Sequence, residues 1–302
     1  MQNQTSPLIL AFGVSDPVGA IGIQADLATF SALGCHGLSV TTALLICDSA
    51  RIEATQDIEP GWVSDQARVL LEDMQIAAIK IGALGGIEHV TSIAEIVSDY
   101  PDVPLILDPF ISSLPEQGQD SLDMLMALRQ LLIPQTTLLL LSRVELERLA
   151  ETWREDDDSD AADSGGRSGD RDTLQDDVTH LLDLGCEFVL VTGTSAHRKS
   201  AVNSGIKASA NTLFGSEGVV RHDSWQHLTG PFVGAGSTLS AAITALMARG
   251  IDAPDAVLEA QQYTAGTLQH AQRFGMGKLV PNRFFLWHGA DTGDATVPSA
   301  SA

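Results

Sequence analysis

The chain has 302 residues, 44% of them hydrophobic, and 17 Lys+Arg against 39 Asp+Glu give a formal charge of −22. That length suits one large α/β domain or two small ones, and so acidic a chain excludes nucleic acid and anionic membrane as partners. No apolar run reaches the roughly 18–20 residues that span a bilayer, and Met1–Ser6 has neither the basic nor the apolar part of a signal peptide, so a cytoplasmic protein is expected. Between Glu151 and Asp177 eleven acidic residues face three arginines; the rest of the charge is spread over the body, a surface that suits a high-salt cytoplasm. Cys35, Cys47 and Cys186 are widely spaced with no C-x-x-C, which predicts reduced thiols rather than a zinc site or disulfides. The eight histidines show no metal-ligand spacing.

Strand and helix patterns alternate from the start. Pro7–Val14 is a continuous apolar run, read as a buried parallel strand, and stops at Asp16-Pro17. Ile21–Leu33 has helical spacing and ends at Gly34. Gly37–Ile46 is a β-branched strand, Trp62–Met74 a helix, Ala77–Ile81 a strand closed by Gly82, and Val90–Val97 helical. Pro104–Leu107 is a strand stopped by Asp108-Pro109; Leu122–Leu132 is helical, Thr137–Leu141 a strand and Val144–Ala150 a helix. Glu155–Arg171 is acidic and rich in Ser and Gly, with no apolar residue larger than Ala, and predicts a disordered surface loop. Leu174–Leu184 (helix) and Phe188–Thr192 (strand) resume the alternation, Ser200–His222 predicts an edge meander, and Ser237–Arg249 and Ala253–Phe274 are the last helices. The repetition implies an α/β, doubly wound, mostly parallel sheet with helices on both faces, in a single domain over 1–289 with a flexible tail at 290–302.

Gly234-Ala235-Gly236-Ser237 runs straight into a helix. Two glycines and a helix N-terminus can form an anion hole for a phosphoryl group. The same pattern also fits a plain helix start with Ser237 or Thr238 as cap. Ser142-x-x-Glu145 reads as a capping box or as part of a metal shell. Asp16 and Asp108 lie just after strands, where open α/β sheets bind ligands, although Asp-Pro also simply makes turns.

Ser15–Leu27 (SDPVGAIGIQADL) resembles the S-D-P-S-G-G-A-G-I-Q-A-D-L stretch of the hydroxymethylpyrimidine/phosphomethylpyrimidine kinases of thiamine biosynthesis, in the ribokinase-like superfamily. Thr29–Gly34, Ser39–Leu44, Lys80–Leu84 (their K-I-G-M-L), Leu107–Phe110 (their L-D-P-V) and Gly234–Ala242 (their G-T-G-C-T-L-S-A-A) continue the likeness in the same order over nearly the whole chain. The resemblance implies a ribokinase-like fold with a short edge meander. It also implies ATP and Mg²⁺ as cofactors, a small-molecule alcohol as substrate, phosphorylation of hydroxymethylpyrimidine and then of its monophosphate, and a homodimer by superfamily analogy.

The departures from the family pattern cluster at its functional positions. Its catalytic Cys is Ser237, a far weaker base. In its pyrimidine pocket Asp26 matches, but a Gly is Val14, an Ala is Ile21, the ring-binding Gln is Cys47, a Met is Ala83 and a Val is Phe110. On its nucleotide side an Asn is Ser142, Glu145 is kept, and K-G-G-H has become Thr192-Gly193-Thr194-Ser195. Three readings follow: a pyrimidine kinase with an altered site, a catalytically impaired relative that binds a ligand or regulates, or a kinase for a different small alcohol.

Overall fold

The computed structural model describes residues 6–111, 119–161, 173–195, 208–226 and 228–288. Its strands are β1 (Leu8–Ser15), β2 (His36–Cys47), β3 (Ile52–Asp57), β4 (Ala78–Ile81), β5 (Leu105–Leu107), β6 (Leu138–Ser142), β7 (Phe188–Ser195), β8 (Ala208–Gly215) and β9 (Gly218–Gln226). They form one sheet in the order β3-β2-β1-β4-β5-β6-β7-β8-β9. The run from β2 to β7 is parallel, and β3, β8 and β9 extend it antiparallel. The chain leaves β1 in one direction for β2 and returns on its other side for β4. The carboxyl ends of β1 and β4 therefore flank the point where strand order reverses, the place where open α/β sheets bind ligands.

The strands read as unbroken apolar runs because both faces are covered. In β1, Leu10 and Phe12 pack with α2 (Pro60–Asp73) and α3 (Ile87–Ser98), in a core that also takes in α4 (Gln119–Ala127), α5 (Arg143–Ala161) and α6 (Thr173–Asp183). Ile9 and Ala11 point the other way, onto α1 (Gly22–Ala32) and α7 (Ala235–Ala248). Helix α8 (Ala253–Gln269) completes that second layer against Leu140, Leu190 and Leu213. Ala241, Ala242 and Ala245 are wholly buried, and their small side chains let α7 lie close to the sheet.

Several boundaries differ from the sequence prediction. Helix α5 continues through Glu155–Ala161, where the sequence predicts disorder; adding a residue to an existing helix gains a hydrogen bond for each residue fixed, so a polar extension is inexpensive. The rest of that acidic stretch and the tail at 290–302 lie outside the described residues. Helix α8 stops at Gln269 rather than Phe274, because Gln272 turns away to exchange both backbone hydrogen bonds with Val280. A short helix, α9 (Phe285–His288), follows. Strand β3, exposed along its whole length, has no apolar pattern to announce it. Among the described residues no helix is long and apolar enough to cross a membrane.

Candidate active site

A cavity of about 590 Å³ opens at the carboxyl ends of β1, β2 and β4. Part of its lining is apolar: Val14, Ile21, Leu45, Ala83, Phe110 and Val233. Charged groups, Asp48, Asp57, Arg51 and Lys278, stand among the remaining lining residues. Two strand irregularities shape it. The β1–β2 register shifts between Gly13 and Val14, and the β2–β3 register shifts between Ile46 and Cys47. Such bulges re-aim side chains at the edge of a site. Phe110 has φ 49°, an unusual left-handed backbone for a bulky residue, and this holds its ring in the cavity wall.

Asp16 organises the loop that forms one side of the cavity. It is 2% exposed, and its carboxylate accepts the N–H groups of Val18 (2.8 Å), Ala20 (2.8 Å) and Ile21 (2.9 Å). The Cys47 thiol donates to the same carboxylate at 3.1 Å. Burial and that bond push the thiol up to about 11, so Cys47 enters the cavity as a neutral donor already engaged with Asp16.

The glycine turn stands beside this loop. Gly234 has φ 86°, and a methyl group there would lie 1.8 Å from the Ala20 carbonyl oxygen. Only glycine permits that approach. Helix α7 begins at Ala235, so neither Ser237 nor Thr238 is its cap. The Thr238 N–H already bonds to Gly234 O at 3.0 Å. The N–H groups of Ala235, Gly236 and Ser237 thus belong to the helix's opening turn, which has no carbonyl behind it to accept them. Those N–H groups and the positive end of the helix are the donors that the anion site expected from the sequence would use. The Ser237 hydroxyl has no hydrogen-bonded His, Asp or Glu among the described residues.

Three charged groups are buried together behind the cavity. Lys80 lies 3.0 Å from Asp26, and both are essentially inaccessible. Burial pushes the Asp26 carboxyl above its ordinary value, and Lys80 only partly offsets this. Asp108 is also raised, chiefly by burial, with Glu145 adding repulsion while Lys80 and the Ser240 hydroxyl (2.7 Å) pull it back.

A second cavity, about 300 Å³, lies across the turn and is lined by Thr192, Trp225, Phe232, Ala235, Gly236 and Gln261 among others. Behind Thr192 the β7–β8 register shifts at Gly193, whose φ is 74° and whose N–H donates to Asn211 Oδ1 at 3.3 Å. Asn211 donates in turn to Gln261 (2.9 Å), which donates to Asp223 (2.9 Å). Ser142 and Glu145 form the reciprocal capping box: Ser142 N–H donates to Glu145 Oε2 at 2.9 Å and Glu145 N–H to Ser142 Oγ at 3.2 Å.

Residues 16–282 match the phosphomethylpyrimidine kinase family. The chain belongs to that family. It is 31% identical over 280 residues to the hydroxymethylpyrimidine/phosphomethylpyrimidine kinase of Escherichia coli, covering 92% of this chain and 97% of the relative. The enzyme of that name from Streptomyces coelicolor is 30% identical, with 90% and 93% covered. Among solved structures, a phosphomethylpyrimidine kinase from Clostridium difficile superposes with TM-score 0.63 at 26% identity, over 85% of this chain and 99% of its own. An ADP complex of Bacillus subtilis pyridoxal kinase shares the fold with TM-score 0.77 at 19% identity, covering 94% and 99%.

The fold brings together most of the positions singled out by the family pattern. Val14, Ile21, Cys47, Ala83 and Phe110 face the first cavity, and Thr192, Ala235 and Gly236 the second. Asp26 stands apart. It lies behind the wall rather than in it, because a carboxylate with no access to water needs the Lys80 ammonium as its partner. Asn211, Trp225 and Gln261 escape sequence reasoning; they sit in ordinary strand and helix patterns and meet only through the β7–β8–β9 edge and α8. The single hint is Gln261, an amide on the buried side of α8 among Ala256, Val257 and Ala260.

Proposed function

We propose that this chain transfers the γ-phosphate of ATP to the hydroxyl of hydroxymethylpyrimidine, and then a second phosphoryl group to the resulting monophosphate. The observation that carries this reading is that one turn borders both cavities: Val233 lines the first, Ala235 and Gly236 the second. The alcohol occupies the first cavity and the nucleotide the second. The γ-phosphoryl group then rests on the N–H groups of residues 235–237 between them. The substrate oxygen forms the new O–P bond as the bond to the ADP oxygen breaks. Because the transition state for such transfer is loose, the hydroxyl proton leaves late. Ser237 accepts a hydrogen bond from the substrate hydroxyl and orients it, and contributes less as a base than a thiolate would.

Mg²⁺ suits the donor set. Asp108 and Glu145 are two carboxylates within electrostatic reach of each other, and Ser240 ties Asp108 to the first turns of α7. Mg²⁺ takes one or two carboxylates beside phosphate and water oxygens. Asp108 and Glu145 would hold it, and it would supply neutralisation of phosphate charge. Among the described residues no group of three or more His, Cys, Asp or Glu side chains could hold a metal ion, so nucleotide phosphates would complete the shell.

One observation favours a second reading, a kinase of a less polar alcohol. Val14, Ile21, Leu45, Ala83, Phe110 and Val233 give the cavity an apolar side, and the Cys47 thiol that stands where the family has a ring-reading amide is engaged by Asp16. An assay of ADP release with hydroxymethylpyrimidine and Mg²⁺-ATP, with mass spectrometry of the products, tests the first reading. Absence of both phosphorylated products at high enzyme concentration overturns it.

A further inference from the structure

Arg283 is 5% exposed, and its guanidinium lies between two loops that meet at the site. Its Nη1 donates to the Gly19 carbonyl (2.9 Å), its Nη2 to the Ala20 carbonyl (2.6 Å) and its Nε to Thr238 Oγ1 (3.1 Å). Thr238 passes the link on by donating to Gly234 O at 2.8 Å. The residue's own backbone is fixed to α8: Tyr263 donates to the Arg283 carbonyl at 2.6 Å, and the neighbouring Asn282 N–H donates to Thr267 O at 3.0 Å. A single side chain thus spans the Asp16–Ile21 loop of the first cavity and the turn that carries the anion site.

The charge on this group is unusual. All three partners are neutral oxygens. No carboxylate among the described residues lies within salt-bridge distance of Arg283, and Asp26 and Asp16 act on it only from further away. Burial lowers it to about 10, so it remains charged at neutral pH. A buried cation with no contacting anion is costly unless something else balances it. Here it sits directly behind Gly234: a methyl group at that position would lie 3.2 Å from Nη2. A bound phosphate on the outer side of the turn would supply the missing negative charge.

We infer that Arg283 is a positioning residue for phosphoryl transfer, clamping the Asp16–Ile21 loop to the Gly234 turn at a fixed separation and setting a positive charge behind the bound phosphate. The clamp serves the transfer step, because it sets the distance from the alcohol to the phosphorus, while the charge serves binding of the anion. This rests on the phosphotransfer reading above.

The two parts separate by substitution. Arg283→Lys keeps the charge, but one ammonium cannot replace a planar fork that reaches three acceptors. Arg283→Met removes both. Affinity for a non-hydrolysable ATP analogue, which carries a γ-phosphate, reads the charge by titration calorimetry, and kcat against KM reads the clamp. We expect Arg283→Lys to bind the analogue within threefold of the parent while kcat falls about tenfold, and Arg283→Met to lose about tenfold in analogue affinity and about 100-fold in kcat. If both variants keep kcat and analogue affinity within threefold and only the melting temperature falls, Arg283 is a structural tie and the inference is wrong. Should Arg283→Met not fold, Thr238→Val removes the Nε acceptor together with the hydroxyl bond to Gly234 O, and so loosens the turn's end of the clamp; an unchanged kcat in that variant also overturns the clamp. A parent protein that binds the ATP analogue but phosphorylates no pyrimidine defeats the substrate assignment and leaves the analogue titrations to decide on the charge. One that binds no nucleotide defeats both.

Discussion

Replacing Gly234 with alanine perturbs the site at its tightest point. The new methyl would stand 1.8 Å from Ala20 O and 2.8 Å from the carbonyl carbon, on a backbone with φ 86°. The left-handed backbone alone costs about 1–2 kcal/mol in a residue with a Cβ. The contact cannot be relieved by a side-chain rotation, because the obstacle is main chain. To reach even a strained separation of about 3 Å, the Ala20 carbonyl must recede by more than 1 Å, which pulls on the bond it accepts from Arg283. Ala20 also belongs to the first cavity, so the shift moves the alcohol relative to the phosphate. A displacement near 1 Å in such a geometry lowers turnover about 100-fold. Gly234→Ala should therefore lose about two orders of magnitude in kcat, and about 2 kcal/mol of stability should lower the melting temperature by about 3 °C in a chain of this size. Steady-state kinetics and differential scanning calorimetry on the same preparation check both. A variant that keeps kcat within threefold of the parent refutes the tight-turn geometry.

Ser237→Cys should raise kcat at least tenfold at pH 8, since part of an ordinary thiol is thiolate at that pH and a thiolate is the better proton acceptor, a transfer that contributes roughly 10²–10⁴-fold; initial rates of ADP release check it. Cys47, with its thiol raised from 9.0 to about 11, should react with iodoacetamide about 100-fold more slowly than an ordinary thiol at pH 8, as followed by mass spectrometry of the Cys47 peptide; alkylation at the ordinary rate would contradict its bond to Asp16. Asp108 has its carboxyl raised above 3.8, so the native chain holds that proton more tightly than the unfolded one, and the contribution of this group to stability falls as pH rises from about 4 through the native value. Asp108→Asn removes that dependence while the amide oxygen can still accept from Ser240. Urea unfolding should show the stability difference moving in the variant's favour between pH 4 and pH 8, and a difference that stays level with pH would contradict the raised carboxyl.

Much of the architecture is legible because burial on both faces leaves an unmistakable pattern. The runs at β1, β6 and β7 are apolar throughout, and the helices between them carry one apolar face. The glycine turn is legible from Gly234 and Gly236, and the positions that line the first cavity from their order along the chain. What the pattern hides depends on tertiary contacts. Strand β3 is held by hydrogen bonds to β2 and leaves every residue exposed, so hydrophobic periodicity says nothing about it. Asp26 looks like a ligand contact until its distance to Lys80 is known. Arg283 lies in a short irregular segment, and its role follows from acceptors more than 260 residues earlier in the chain.

On the proposed assignment of the two cavities, the shared turn also makes the two ligands thermodynamically answerable to each other. Val233 faces one compartment and Ala235 and Gly236 the other, with Gly234 wedged against Ala20 between them. A rearrangement that improves the fit of one ligand cannot be confined to its own side, and the wedge leaves little slack to absorb it. Whatever factor the nucleotide imposes on affinity for the alcohol, the alcohol must impose on affinity for the nucleotide. Under that assignment a single peptide turn is the path for any coupling between the substrates, with no hinge or subunit interface needed to transmit it.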